Sequence, residues 1–480
     1  MVQPLLDNIT FKCNNTEYQP ILNALRLVTK YFDSGKKYFP ENEQVPMDCI
    51  PKKWRKHIVD SEGKVKRICY EVYLLKALAN SIKCREIWVE HSRKHCNPDK
   101  DLPNDFDDKK AIYFSNLGLP LEAEDFVTSL KQQMQEALTE LNTTIINNQK
   151  VKISNKNGGR IKLIPLQPQP EAPLISVIKK SLQDKWQTIN LIDTLKEVQL
   201  NINFTNDFVS YGEKIYLTPQ EISERILLAI YGFGTNVGLK HICSGNQHIT
   251  YNQLRHIKNY FLSTNNLKNA INKTANALFI ARDKRIWGEM PIAIASDSTQ
   301  FSAYFQNMTS EYHNRYGGRG VMIYWHVEKK ATCIHSQLKS VSSSEIASMI
   351  NGILNHCTEM SVQKSYVDTH GQSEIGFAFS HLLGFKLMPR LANLNKQKLY
   401  QCTHGDYKKY SNLQPILTDT IRWESIQDYY HEMVKYSVAM REGYANPESI
   451  LRRFTKNNLT HPIYSALSQL GCHCQIKRDH

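Results

Sequence analysis

Two carboxylates constrain this chain more than any other feature. Asp297 ends the apolar run Met290-Pro-Ile-Ala-Ile-Ala-Ser296, and Asp368 ends the run Ser365-Tyr-Val367. A buried strand reads as a short apolar run bounded by polar turn residues. Each acid is therefore expected where a strand opens into solvent. The interval of 71 residues between them holds two more strand-like runs, 321–327 and 331–338, and one helix-like run from Ser342 to about His356.

The connections are short. Arg319-Gly320 and Glu328-Lys-Lys330 bound the runs as turns, which implies antiparallel hairpins. Ser342 and Glu345 are spaced as a capping box at a helix start. A fourth strand, Tyr366–Val367, leads into Asp368. A helix from Glu374 to Leu383 stops at Gly384, and Phe385–Met388 is a fifth strand. The order βββαβαβ is that of the ribonuclease-H-like fold, so the expected class is α/β with a core over residues 286–400.

The flanks read differently. Residues 1–150 are expected to be mainly helical, with helices at Ile21–Phe32, Val65–Trp88 and Leu121–Ile145. In the second of these, Val72, Leu75, Leu78, Ala79 and Ile82 fit a 3.6-residue period. Residues 151–285 hold the turn Asn155-Lys-Asn-Gly-Gly159, a short strand from Arg160 to Leu166, and an extended linker over 165–173 with four prolines. Helices follow there, one of them Gln220–Tyr231, started by Thr218-Pro219 and stopped by Gly232-Phe-Gly234. Residues 401–480 turn helical again.

With 480 residues the chain is long enough for about two to four domains. Lys and Arg outnumber Asp and Glu by 60 to 46, which favours a polyanionic partner. No window approaches the apolar length of a membrane span, and the N-terminus lacks the plan of a signal peptide. The expected compartment is the cytoplasm, without membrane partners. The eleven cysteines are scattered; Cys472-His-Cys474 is the one tight cluster, without a second ligand pair to make a zinc site. Free thiols are expected.

The paired acids point to phosphodiester chemistry. Activating one oxygen and neutralising another is work for two metal ions, and hard ions such as Mg²⁺ or Mn²⁺ prefer carboxylates. Asp297 suits a bridging ligand and Asp368 a ligand of one ion; such a site needs a third acid. Either aspartate alone would read as a turn residue, and it is the pairing within the βββαβαβ order that favours chemistry. Arg282, Lys284 and Arg285 are candidate phosphate contacts, with a solvated basic turn as the plain alternative. His370 is a candidate substrate contact or a turn residue, and Glu374 a first-turn acid of its helix. His326 reads as a core or edge histidine. Gly317-Gly-Arg-Gly320 lacks the ending of a phosphate loop and reads as a hairpin approach.

Tyr366-Val-Asp-Thr-His-Gly371, Phe377-Ala-Phe-Ser-His-Leu-Leu-Gly-Phe385 and Pro389-Arg390 resemble the core of the Tn-three family of replicative transposases. Ala295-Ser-Asp-Ser-Thr-Gln-Phe301 resembles the segment with that family's first catalytic aspartate. Upstream, Tyr38-Phe-Pro40, Pro51-Lys-Lys-Trp54, Glu86-Ile-Trp-Val89, Asn97-Pro-Asp-Lys-Asp-Leu-Pro103, Gly158-Gly-Arg-Ile161 and Tyr231-Gly-Phe-Gly-Thr-Asn236 look like family landmarks. Leu451-Arg-Arg-Phe454 and His461-Pro462 continue the likeness.

The resemblance implies a DDE triad with Mg²⁺ or Mn²⁺, DNA as substrate, and nicking and strand transfer at transposon ends. Asp297 and Asp368 match its first two acids. Arg390 joins Arg282, Lys284, Arg285 and His370 as an expected DNA contact. Residues 1–150 become a scaffold and DNA-contact region, and 401–480 the start of a helical insertion. Family members are longer, and their catalytic Glu lies farther beyond the second Asp than the 112 residues present here. No Glu in the sequence takes its place by matching. Ser298 stands where glycine is usual, and 472–480 does not resemble the family's continuation. The expectation is a truncated, catalytically impaired transposase that binds DNA and pairs with itself or with a full-length copy. A non-catalytic DNA-binding or inhibitory fragment is the alternative. A second alternative is an independent ribonuclease-H-like nuclease recruiting Glu374 or Glu424.

Overall fold

The computed structural model describes residues 3–476, without 32, 33, 157, 166, 169, 187, 188, 213–216, 246, 247, 291, 456, 457, 459 and 460. Phe32, Asn157, Leu166, Gln169, Pro291 and the final four residues, each part of a segment read from the sequence, lie outside the described set. The protein mixes helix and strand and forms two compact units. One comprises 1–163, 342–351 and 367–480; the other comprises 164–341 and 352–366.

The first unit opens with β1 (Phe11–Cys13) paired antiparallel to β2 (Ile87–Val89). The helix Gln19–Tyr31 buries Ile21, Leu22, Ala24, Leu25 and Val28, one stripe of a 3.6-residue period. The helix Arg67–Lys83 differs from expectation in its inward face. Tyr70, Leu74, Leu78 and Ser81 are buried, whereas Val72 is 63% exposed and Ala79 is exposed. Tyr70 sets that face: its phenol donates to the Pro46 carbonyl at 2.7 Å, and its ring meets Phe39 edge-on at 5.5 Å. One large anchored ring outweighs several small aliphatic groups.

The helix Ala123–Thr144 carries Glu124 and Asp125 in its first turn, where acids suit the dipole. It buries Phe126, which stacks on Tyr430 at 4.3 Å. β3 (Val151–Ser154) and β4 (Arg160–Leu163) form an antiparallel hairpin, shorter at its far end than the expected strand to Leu166.

In the second unit, the helices Leu191–Ile202, Pro219–Gly234, Tyr251–Tyr260 and Thr264–Ala281 surround Phe204, Ile226, Leu254, Ile257 and Phe261. Thr218 and Glu221 form a full capping box. The expected stop at Gly232 does not occur, and the helix continues through Gly234. Gly232 is a packing glycine: a Cβ there would lie 3.2 Å from the Ile242 side chain.

The strands follow. β5 (Ala293–Ser302) pairs antiparallel with β7 (Gly318–Glu328), with Asp297 opposite Trp325 and Ser296 opposite His326. β7 also pairs with the short β6 (Glu311–His313) at one end and with β8 (Cys333–Lys339) along the rest. β9 (Lys364–Val367) lies on the other side of β5. The boundary between the units falls inside β9, after Tyr366.

In β7 the burial alternates, with Met322, Tyr324, His326 and Glu328 inward. His326 is a core residue, its Nδ1 2.9 Å from the Ser296 hydroxyl. The helix Glu345–Leu354 links β8 to β9.

The first unit resumes with the helix Glu374–Leu382 and β10 (Lys386–Pro389). That helix is buried on nearly every side and packs against the helix Pro462–Ile476. Gly471 permits the crossing, since a Cβ there would lie 2.0 Å from the Glu374 carbonyl oxygen. Cys472 and His473 are buried in the same helix, and burial pushes the Cys472 thiol up to about 11. β11 (Leu399–Gln401) and β12 (Leu417–Thr420) form a parallel pair.

Candidate functional site

Asp297 does not end its strand. β5 continues past it for five residues, through Ser302. The period-2 pleat explains this. Ile294 and Ser296 turn inward, so Ala295, Asp297, Thr299 and Phe301 share the exposed face. The polar stretch after Asp297 reads as a turn in sequence but is held as strand by its register with β7. The Asp297 carboxylate accepts a hydrogen bond from the Ser298 backbone N–H at 2.7 Å. Among the described residues no Lys, Arg or His pairs with it.

Asp368 follows β9 and caps a short helical turn, Thr369–Gly371. Its Oδ1 accepts from the His370 N–H at 2.8 Å, and its Oδ2 lies 4.0 Å from the His370 Nε2. Its side chain remains 37% exposed and that of His370 64%. Each acid therefore presents solvent-accessible oxygen with few competing partners, which suits a hard cation. Among the described residues no group of three or more His, Cys, Asp or Glu side chains gathers into a metal cluster.

The two candidate third acids are placed differently. Glu374 sits in the first turn of its helix, as expected, and accepts a hydrogen bond from the Ser468 hydroxyl. It lines a cavity of about 570 Å³ together with Ser344, Gln372, Lys398, Tyr400 and Arg452. Glu424 is exposed in the first turn of the helix Trp423–Asp428.

The basic residues before β5 divide. Arg282 is structural rather than a free phosphate contact. Its guanidinium is nearly buried, bonds Glu328 and Thr332 at 2.6 Å each, and lies over the rings of Phe279 and Trp287. Burial alone would raise the Glu328 pKa, but Arg282 and the N–H groups of Lys330 and Thr332 hold it below the usual carboxylate range. Lys284 and Arg285 are exposed, paired at the surface with Glu289 and Asp283. Such pairs exchange readily for phosphate. Arg390 is exposed, and its backbone N–H donates to the Val367 carbonyl at 2.9 Å. Gly317 ends the turn into β7, whereas Gly318–Gly320, with the Arg319-Gly320 pair expected as a turn, are already strand and pair with β6.

A basic cleft of about 520 Å³ in the first unit was missed from sequence. Lys83, Arg85, Arg93, Lys94, His95 and Arg452 line it, with Asp101 and Glu448 paired to Arg85 and Arg452. Burial first, and then Lys94, Arg85 and Arg452, lower the His95 pKa, a sign of the local positive field. Five of these six basic residues lie between 83 and 95, and only the fold brings Arg452 to them.

Residues 193–475, more than half of the chain, match the family described as Tn3 transposase DDE domain. The chain is 24% identical over 462 residues to the transposase for transposon Tn1546 of Enterococcus faecium, covering 94% of this chain and 45% of that protein. It is 23% identical over 441 residues to the transposase for transposon Tn2501 of Escherichia coli, covering 89% of this chain and 42% of that one. The transposase for transposon gamma-delta of Escherichia coli (strain K12) is 21% identical over 457 residues, with 94% of this chain and 45% of that one covered. The chain spans less than half the length of these relatives. The match takes in both Asp297 and Asp368. It also reaches past Cys472-His-Cys474, which the sequence reading had set apart from the family.

Proposed function

Because the chain belongs to the Tn3 transposase DDE domain family, we propose that it acts on DNA at transposon ends, with Asp297 and Asp368 as the first two acids of a DDE triad. The observation that carries this reading is the pair itself. Within the matched segment each acid stands at a strand and keeps an exposed side chain; among the described residues Asp297 has no basic partner and Asp368 has only the exposed His370 imidazole, at 4.0 Å.

The order of elements supports a ribonuclease-H-like core over 286–400. β5, β7, β8, a helix, β9, a helix and β10 reproduce βββαβαβ, with β6 a small addition on β7. Asp297 and Asp368 would hold Mg²⁺ or Mn²⁺, and their donor chemistry fits such ions. Bound metal would supply Lewis-acid stabilisation of the leaving oxygen and activation of the attacking one. The protein's own part is to hold the carboxylates and to position the strand. For positioning we propose Lys284, Arg285, His370 and Arg390, all exposed, and not Arg282, whose charge serves Glu328.

Two acids of three are matched within residues 1–480, so weak turnover by these residues alone is expected. The test is nicking and strand transfer by the purified chain on DNA carrying transposon ends, in Mg²⁺ and in Mn²⁺. Metal-dependent product that disappears in Asp297→Ala is the expected result. Product that persists in that variant would overturn the assignment.

The basic cleft favours a second reading, in which the chain binds DNA, or pairs with a longer transposase, without cutting. Steeply salt-dependent binding with no product at any metal concentration would select it.

A further inference from the structure

The loop that leaves β5 exposes an unusual amount of ring and thioether surface. Tyr304 is 87% exposed, Phe305 77% and Met308 100%. Phe301 in β5, Tyr312 in β6 and Tyr316 in the turn before β7 are exposed as well. Scattered apolar residues on a surface need no explanation, but three this exposed within five residues of one loop mark a contact.

The loop is ordered by its own hydrogen bonds. Asn307 Oδ1 accepts from the Thr309 N–H at 3.0 Å and the Thr309 hydroxyl at 2.7 Å. The Asn307 N–H donates to the Tyr304 carbonyl at 3.0 Å, and the Ser310 hydroxyl donates to the Asn307 carbonyl at 2.8 Å. The rings are thus presented at low entropic cost to a partner.

Cations are interleaved with them. The Arg319 guanidinium lies 4.6 Å over the Phe305 ring, and that of Arg315 lies 5.8 Å over Tyr316. The one carboxylate between 303 and 320, Glu311, accepts the Val341 backbone N–H at 2.6 Å. Exposed rings with guanidinium groups and little negative charge match flat bases joined by phosphates. The position matters as well. Phe301 shares the exposed face of β5 with Asp297, four residues or about 13 Å along the strand.

We propose that this loop, Phe301 to Tyr316, is a stacking platform for unpaired nucleobases of the DNA strand attended by Asp297. The inference rests on the DNA reading given above and adds to it a preference for unstacked bases. Bases in an intact duplex have both faces covered by neighbours, so an aromatic platform selects bases that have left the stack.

The test uses the full chain and two labelled probes of equal length, an oligothymidylate single strand and a duplex, at one salt concentration. The double variant Tyr304→Ala/Phe305→Ala is expected to lose on the order of tenfold or more in single-strand affinity, with duplex affinity nearly unchanged. Phe305→Trp, which keeps the ring, is expected to retain single-strand binding. Both side chains are exposed, so an unchanged melting temperature accompanies the effect. Duplex binding that persists while single-strand affinity ignores the double variant overturns the platform and leaves the DNA reading standing. Binding to neither probe overturns both. A dimer in sedimentation that the double variant abolishes would make the patch an interface between copies and overturn the platform.

Discussion

At the scale of single residues, charge has two uses here that sequence alone does not separate. Asp368 caps a helical turn with one oxygen and offers the other to solvent. The variants Asp368→Asn and Asp368→Ala divide these roles. The amide oxygen of Asn still caps, so Asp368→Asn is expected to melt like the parent and to lose metal-dependent nicking. Asp368→Ala should lose about 1 kcal/mol of stability as well. Equal melting of all three proteins would show that the cap contributes nothing.

Arg282 teaches the opposite lesson. It stands in a basic cluster before an acid-bearing strand, and it is the inward partner of a carboxylate with no exposed surface. Removing it as Arg282→Met strands that charge, and a loss of about 3–5 kcal/mol in urea unfolding is expected. A loss below about 1 kcal/mol would show that Glu328 finds another partner or protonates. Basic residues look alike in sequence; burial is what distinguishes Arg282 from Lys284 and Arg285.

At the scale of elements, the order of strands and helices through the sheet was legible, because period-2 runs and caps are local signals. Strand length was not. The expected end of β5 at Asp297 came from reading polarity as a turn, whereas the ladder with β7 carries Ser298, Thr299 and Gln300 onward as strand. The inward face of the helix Arg67–Lys83 was misread because its anchor, Tyr70, is fixed by Phe39 and Pro46, which lie outside the helix and leave no mark on its own periodicity.

Several family-like motifs also turn out to be architecture. Glu86, Arg453 and His461, from three separate landmarks, meet around Asn458, whose amide bridges the Glu86 carboxylate and the Arg453 carbonyl at 2.8 Å each. Gly352, outside those motifs, is architectural as well. A Cβ there would fall 1.8 Å from the His326 Nε2, so Gly352→Ala must displace a buried ring. A loss of about 1–3 kcal/mol is expected, measurable as a lower urea midpoint; an unchanged midpoint would mean that the helix shifts freely.

For the whole molecule, the two units share one sensitivity. His335 in one and His461 in the other are held neutral. Burial first lowers both to about 4 from the ordinary 6.5, helped by Lys268 and His356 around His335 and by Arg453 near His461. Above 6.5 both folded and unfolded chains carry neutral rings there, and stability is full. Between 6.5 and 4 the unfolded chain takes up protons that the folded one refuses, so stability falls as pH falls. A melting temperature clearly lower at pH 5 than at pH 7.5 is expected, with the difference reduced in His461→Gln. A flat profile would mean that both rings protonate without unfolding.

The chain leaves the first unit and returns to it twice, and this has a consequence in time. The Tyr18 hydroxyl bonds the Asn458 side chain across 440 positions of sequence. At a synthesis rate of roughly 5–20 residues per second, the partner of Tyr18 emerges about 20–90 s after it. Through that wait the apolar faces of the earliest helices already have cover, because the core around Leu25, Val28, Tyr70 and Leu74 is built from residues before 90. The start of the chain therefore has a core of its own while the rest is still being made, and only its join to the far end of the unit waits for the last residues.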